Sequence, residues 1–171
     1  MNRKGFTLIE LVMVLVLIGI IAMFVAPRMV DVAGTKAGAF RDKLRADIRY
    51  AQNLAMTRNL RSRVDFSTLN QYSVQSSTTS TCSAFPAAID PAISAAFTVV
   101  LNTGDYVGIT LTLPAPMNCL EYDSLGRPYD CTGLGLACAG PALLSGMTVT
   151  VNANAVAVDN VTVTAQTGAV N

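Results

Sequence analysis

The chain has 171 residues, 51% of them apolar and only 13% charged, with a formal net charge of +1, no histidine and no tryptophan. The missing histidine removes the commonest general base and metal ligand, and a near-neutral chain is not a globally basic nucleic-acid binder. Setting aside an apolar N-terminal stretch leaves roughly 145 residues, enough for one domain with a real core and too few for two.

The first five residues are short and basic, through Arg3 and Lys4, and Phe6 to Ala26 then carries a single charge, Glu10. As a helix rising about 1.5 Å per residue, that run is about 31 Å long, the thickness of a bilayer core. Basic residues ahead of it favour an N-in orientation, with the rest of the chain outside the cytoplasm. An ordinary secretory signal ends in small residues, whereas Met23-Phe24-Val25 precede Ala26-Pro27 here. A plain signal anchor is the other reading, and Glu10 argues against it. A carboxylate inside an apolar helix costs about 2.5–3.5 kcal/mol on insertion scales and calls for a partner. No cation lies within a helical turn of Glu10. A cut before Phe6 would create an α-amino group four residues away, on the same or a neighbouring subunit.

Charge is segregated further along. Arg28 to Arg63 holds nine Lys/Arg against three Asp, a net +6, while from Val64 onward one Arg stands against seven acids, a net −6. Residues 28–61 read as an amphipathic helix. Phe40, Leu44, Ile48, Ala51 and Ala55 form one apolar stripe at helical spacing, and Lys43 with Asp47 is an i,i+4 opposite-charge pair. Arg41, Arg45 and Arg49 share one column, expected to face solvent, anions or a partner surface. The helix is expected to end between Thr57 and Asn59.

Residues 62–171 read as a β-rich globular domain. Runs at 62–66 and 71–75 alternate across a short connection and predict a hairpin. A Ser/Thr-rich and then Ala/Pro-rich loop is expected from Ser73 to Pro91, with strands at Phe97–Leu101 and Val107–Leu113. Leu120–Asp123 leads into a turn at Ser124–Pro128. Three short alternating runs, Met147–Val151, Ala155–Val158 and Val161–Ala165, close the pattern. The expected fold class is α+β: a long N-terminal helix, transmembrane and then amphipathic, packed on an antiparallel sheet.

Four cysteines, Cys82, Cys119, Cys131 and Cys138, form no C-x-x-C pair and have no histidine beside them, so no metal site is expected. An even count behind an export-type segment points to disulfides in an oxidising compartment. Four cysteines allow three connectivities. The expected pairing is Cys131–Cys138, a tight local loop, with Cys82–Cys119 tying the Ser73–Pro91 loop to the sheet. No Ser/His/Asp or Cys/His set exists, the carboxylates are scattered, and no phosphate-binding glycine pattern appears. Neither an enzyme nor a cofactor is expected.

Arg3-Lys4-Gly5-Phe6-Thr7-Leu8-Ile9-Glu10 resembles the class III signal of type IV prepilins and type II secretion pseudopilins. The resemblance implies a leader peptide at residues 1–5 and a transmembrane and assembly helix at 6–27. It implies that a prepilin peptidase cuts between Gly5 and Phe6 and N-methylates Phe6. Glu10 would then pair with the Phe6 amine of an adjacent subunit. Gly19 and Pro27 stand where the family often carries helix breakers. The implied location is the inner membrane, single-pass with a periplasmic C-terminal domain, and then a filament of other pilin or pseudopilin subunits.

Leu44, Arg49, Tyr50, Ala51, Leu54, Ala55 and Val64 match a run of the GspH/FimT-like minor pilins and pseudopilins, and in part of MSHA-type minor pilins. Tyr122-Asp123-Ser124-Leu125-Gly126-Arg127-Pro128 resembles the domain's "FDxxGRP" turn, and Thr167-Gly168-Ala169-Val170 its terminal "TGxV". This resemblance implies an α/β roll and a minor structural subunit of a type IV pilus or type II secretion filament. It leaves two alternatives, a major subunit or a nucleic-acid-binding FimT-like pilin. The second would use Arg58, Arg61 and Arg63, which also read as a solvated basic turn.

Overall fold

The computed structural model describes residues 7–25, 31–68, 70–79, 84–132 and 146–171. Helix α1 spans Leu8–Val25 and α2 spans Asp31–Arg58. The strands are β1 (Ser62–Asp65), β2 (Gln71–Ser76), β3 (Thr98–Val100), β4 (Ile109–Thr112), β5 (Cys119–Tyr122), β6 (Pro128–Asp130), β7 (Met147–Ala153) and β8 (Val156–Val163). They make two antiparallel sheets, one in the order β3-β2-β1-β5-β6 and one in the order β4-β7-β8. The α+β class read from the pattern is the class observed, with two sheets where one was expected.

The apolar stripe explains why α2 packs. Ala37, Phe40, Leu44, Ile48, Ala51 and Ala55 are each at most 1% exposed. They meet Val64, Tyr72, Val74, Leu120 and Tyr122 of the first sheet and Val149, Val151, Val161 and Val163 of the second, in one core. Most of the stability of an amphipathic helix comes from burying its apolar face, and each sheet alone would leave one apolar face wet, so the three elements support one another. Asn59 ends α2 with a φ of 52°, the left-handed residue that commonly closes a helix.

The two flanks of α2 serve the two sheets. On one flank Asp47, itself buried, accepts from the Tyr72 hydroxyl at 2.5 Å and from Lys43 Nζ at 2.8 Å. Burial, with Asp47 beside it, pushes the Tyr72 hydroxyl well above the ordinary tyrosine range. Tyr50 stacks on Phe97, ring centroids 5.5 Å apart. On the other flank, of the three settings open to the arginine column, Arg41 takes an anion and Arg49 stays exposed. Arg41 pairs with Asp159 of β8 at 2.9 Å, Arg49 donates to the Val170 carbonyl at 2.6 Å, and Arg45 is half-buried between them. The helix sits on the seam of two sheets, so positions just off the apolar stripe meet the second sheet. The segregated charges are thereby brought together.

Three sequence expectations need correction. The last three alternating runs form two strands, because β8 continues through polar Asp159 and Asn160 with a register shift opposite Val151/Asn152. Asp159 interrupts the apolar alternation to reach Arg41. The loop expected from Ser73 begins only after Ser76, since β2 pairs with β1 through Ser62↔Ser76. The third is the disulfide. Cys119 is bonded to Cys131, with their Cα atoms 5.1 Å apart, and not to Cys82. The β5–β6 register, Leu120↔Asp130, makes Cys119 and Cys131 the next facing pair of the hairpin, which the sequence separation alone did not reveal. Cys82 and Cys138 lie outside the described residues.

The β7–β8 turn carries Asn154 at φ 50° and Ala155 at φ 64°. A hairpin of this type wants glycine at the second position, since a Cβ is penalised in the left-handed region. Ala155→Gly should stabilise the domain by about 0.5–1 kcal/mol, the gain being reduced by glycine's freedom in the unfolded chain. Chemical denaturation of the two proteins checks it.

Candidate functional site: the N-terminal helix and the turn that caps the domain

Gly5 and Phe6, the expected cleavage and methylation residues, lie outside the described residues. Glu10 is placed. It sits in the first turn of α1, whose N-terminus is closed by Thr7: the Glu10 backbone N–H donates to the Thr7 carbonyl at 3.1 Å and to Thr7 Oγ1 at 3.4 Å. Thr7-Leu8-Ile9-Glu10 is the spacing of a capping box. A carboxylate at this position also faces the positive end of the helix dipole. The spacing is present in the sequence, where the charge of Glu10 in an apolar run is the more conspicuous feature.

Every described side chain of α1 from Leu8 to Ala22 is exposed, and among the described residues Glu10 makes no ion pair. The helix runs unbroken through Gly19 to Val25. Among the described residues no helix is long and apolar enough to cross a membrane. At 18 residues α1 is about 27 Å long, shorter than the full apolar run. An apolar helix bare on all sides needs an apolar surround of lipid or protein.

At the far end of α2, the two C-terminal segments singled out in the sequence come together. Gln52 Nε2 donates to the Gly126 carbonyl at 2.9 Å and to the Thr167 carbonyl at 3.0 Å. Gly126 has a φ of 77° and Gly168 a φ of 66°, and a Cβ on Gly168 would lie 2.7 Å from the Gly126 carbonyl oxygen. One glutamine thus clips the turn and the tail to the helix, and neither glycine can be replaced without strain.

The turn itself is organised by Asp123. One carboxylate oxygen accepts from the Leu125 and Arg127 backbone N–H groups, each at 2.9 Å; the other accepts from Arg127 Nε at 2.8 Å and the Tyr129 hydroxyl at 3.1 Å. Burial alone would raise this carboxyl. The Arg127 backbone and side chain, the Leu125 N–H and the Tyr129 hydroxyl more than offset it and hold Asp123 below the usual carboxylate range. A carboxyl depressed in the folded state stabilises the fold above its ordinary titration range and loses that contribution as pH falls through its folded value. Resistance to denaturation should therefore weaken below about pH 4, and Asp123→Asn should flatten that acid limb while lowering stability at neutral pH.

Of the three arginines read as a candidate anion site, Arg58 is exposed at the end of α2. Arg61 is spent on Glu121, at 2.6 Å, and lies over the Tyr129 ring. Arg63 donates to Gln75 Oε1 at 2.7 Å and covers the Phe85 ring at 4.1 Å. A cleft of about 340 Å³ opens between Asn59, Leu60, Arg61, Asp123, Ser124 and Arg127, and of the three arginines only Arg61 lines it. Asp123, the one acid lining the cleft, pairs with Arg127 at 2.8 Å, and Arg61 pairs with Glu121 behind it. Among the described residues no group of three or more metal-ligating side chains occurs.

Comparison with known proteins bears on the N-terminus. Residues 1–26 match the family model described as the prokaryotic N-terminal methylation motif. That motif is characteristic of type IV pilin and pseudopilin precursors, and it implies processing by a prepilin peptidase and assembly with other pilins. No curated protein and no solved structure matches the chain.

Proposed function

We propose that this chain is a non-catalytic minor pilin or pseudopilin of the GspH/FimT-like kind, cut after Gly5, methylated at Phe6 and assembled into a filament through α1. The observation that carries the reading is α1 itself. It is an apolar helix exposed on all sides, with one acid in its first turn, inside the matched methylation motif. The precursor spans the inner membrane through the apolar run 6–26, which is longer than α1 and at about 31 Å fits a bilayer core. Its C-terminal domain faces the periplasm until the helix is drawn into a type IV pilus or type II secretion filament. There Glu10 meets the new amine of a neighbouring Phe6, and a charge costly in lipid finds its partner.

What favours the minor role is that the Tyr122–Pro128 turn and the Thr167–Val170 tail, which Gln52 clips together, resemble those of GspH/FimT-like minor pilins. A nucleic-acid-binding role is disfavoured, because Arg61 is committed to a buried carboxylate.

The test is Glu10→Val in cells that assemble the filament. The variant should still insert and still yield a mature chain beginning at methylated Phe6 by mass spectrometry. Its recovery in sheared filaments should fall by more than about tenfold, the loss expected when a desolvated ion pair is broken. Normal recovery would rule out the Phe6–Glu10 pairing.

A further inference from the structure

We infer that one end of the second sheet rests on the lipid surface while the chain is held in the membrane. The inference rests on the proposed membrane-spanning run and says where the globular domain meets the bilayer. Two turns make this end. One leads into β4 and carries Tyr106 and Val107, and the other joins β7 to β8 and carries Ala155 and Val156. Ile109 faces Ala153 across the β4–β7 ladder, and the Asn154 N–H donates to the Gly108 carbonyl at 2.8 Å, so the two tips lie side by side. Val107 is 60% exposed and Val156 64%, with Ala155 exposed beside them. Turns that face water are built mostly from Gly, Pro, Asn, Asp and Ser. Here residues 101–113 hold a single charge, Asp105, and residues 147–158 hold none. Ala155 also keeps its Cβ at a φ of 64°, in the left-handed region where a side chain is penalised. Apolar side chains at both tips, one of them on a strained backbone, suit a surround other than water.

Position selects lipid as that surround. β8 runs beside α2 in the same direction: Asp159 pairs with Arg41, and Val170, which bridges to Val163, accepts from Arg49. Val156 precedes Asp159 by about 10 Å of strand, and Asp31 precedes Arg41 by about 15 Å of helix. The tips therefore stand level with the first turns of α2. Tyr106 agrees with that level, its ring centroid 5.1 Å from that of Phe40. Five residues separate the end of α1 from the start of α2, and a chain that short reaches at most about 20 Å whatever its path. A domain tethered this closely to a membrane-spanning run has the bilayer as its nearest large apolar phase. Neither tip carries a cation, so the contact is insertion of apolar side chains into the interface and not recognition of anionic headgroups.

The chain has no tryptophan, so one introduced at a tip is the sole indole reporter. The full chain carrying Val107→Trp or Val156→Trp is reconstituted in phosphatidylcholine vesicles with brominated acyl chains. Leu125→Trp is the control. Leu125 is 72% exposed, but it adjoins Gly126, which lies against Met56, about 37 Å along α2 from its start. Both tip tryptophans should be quenched by the bromine and shielded from aqueous iodide, and Leu125→Trp should show the reverse. Tip tryptophans quenched by bromine no more than Leu125→Trp overturn the lipid contact. Adding Ala155→Asp to Val107→Trp should weaken that quenching, because a charge on the adjoining tip opposes insertion. Unchanged quenching means that the indole alone made the contact, and overturns it. The two tips report independently, so the second decides if a substitution at the first misfolds. An unsubstituted chain that fails to float with the vesicles overturns the membrane-spanning reading instead.

Discussion

Replacing Arg61 with alanine should destabilise the domain by about 3–5 kcal/mol, the cost of leaving a buried carboxylate without its partner. Glu121 is 2% exposed, and Arg61 Nη1 at 2.6 Å is the only cation within ion-pair distance among the described residues. The same arginine covers the Tyr129 ring at 4.8 Å, so its loss also uncovers the β5–β6 hairpin. A double variant, Arg61→Ala with Glu121→Gln, removes the charge that is stranded and should regain much of the stability. Urea denaturation of the single and double variants decides the matter. If Arg61→Ala costs under about 0.5 kcal/mol, as ordinary surface substitutions do, the pair is not buried in the working protein.

Leu44→Ala should cost about 2–5 kcal/mol, because the side chain sits in the centre of the α2 interface and leaves a cavity between two sheets that cannot both close on it. Leu44 is 0% exposed. Its neighbour Arg45 gives the contrast. The Arg45 Nε is buried without a hydrogen-bond partner among the described residues, so truncation removes a poorly compensated polar atom together with some stem packing. The two effects oppose, and Arg45→Ala should change stability by under about 0.5 kcal/mol. Thermal melts of the two variants should differ by well over ten degrees if the full cavity cost is felt. Equal effects would mean that the buried face of α2 has been assigned wrongly.

Periodicity made the helices and most strands legible. The 3.6-residue recurrence of Phe40, Leu44, Ile48, Ala51 and Ala55 requires a helix with one buried side, whatever it packs on. Strict alternation at 62–66 and 71–75 requires paired strands. Glu10 stood out for a chemical reason, since an isolated acid in an apolar run is costly enough to demand a purpose. The Thr7 cap on the Glu10 N–H was equally local.

What the sequence by itself determined about this protein is therefore what depends on neighbours along the chain: the apolar N-terminal helix with its single acid, the amphipathic helix and its buried side, and the turn chemistry of Asp123 and Gly126. Only the tertiary structure decided how those pieces meet. Whether Arg41 sees water or Asp159 depends on a second sheet 118 residues away in the chain. The pairing of Cys119 with Cys131 depends on the register of β5 against β6, not on loop length. The approach of the Gly126 turn to the Gly168 tail goes with one glutamine that donates to both the Gly126 and the Thr167 carbonyls. Such contacts are chosen by the free energy of the whole fold, in which many weak burials compete at once, and no local pattern encodes them.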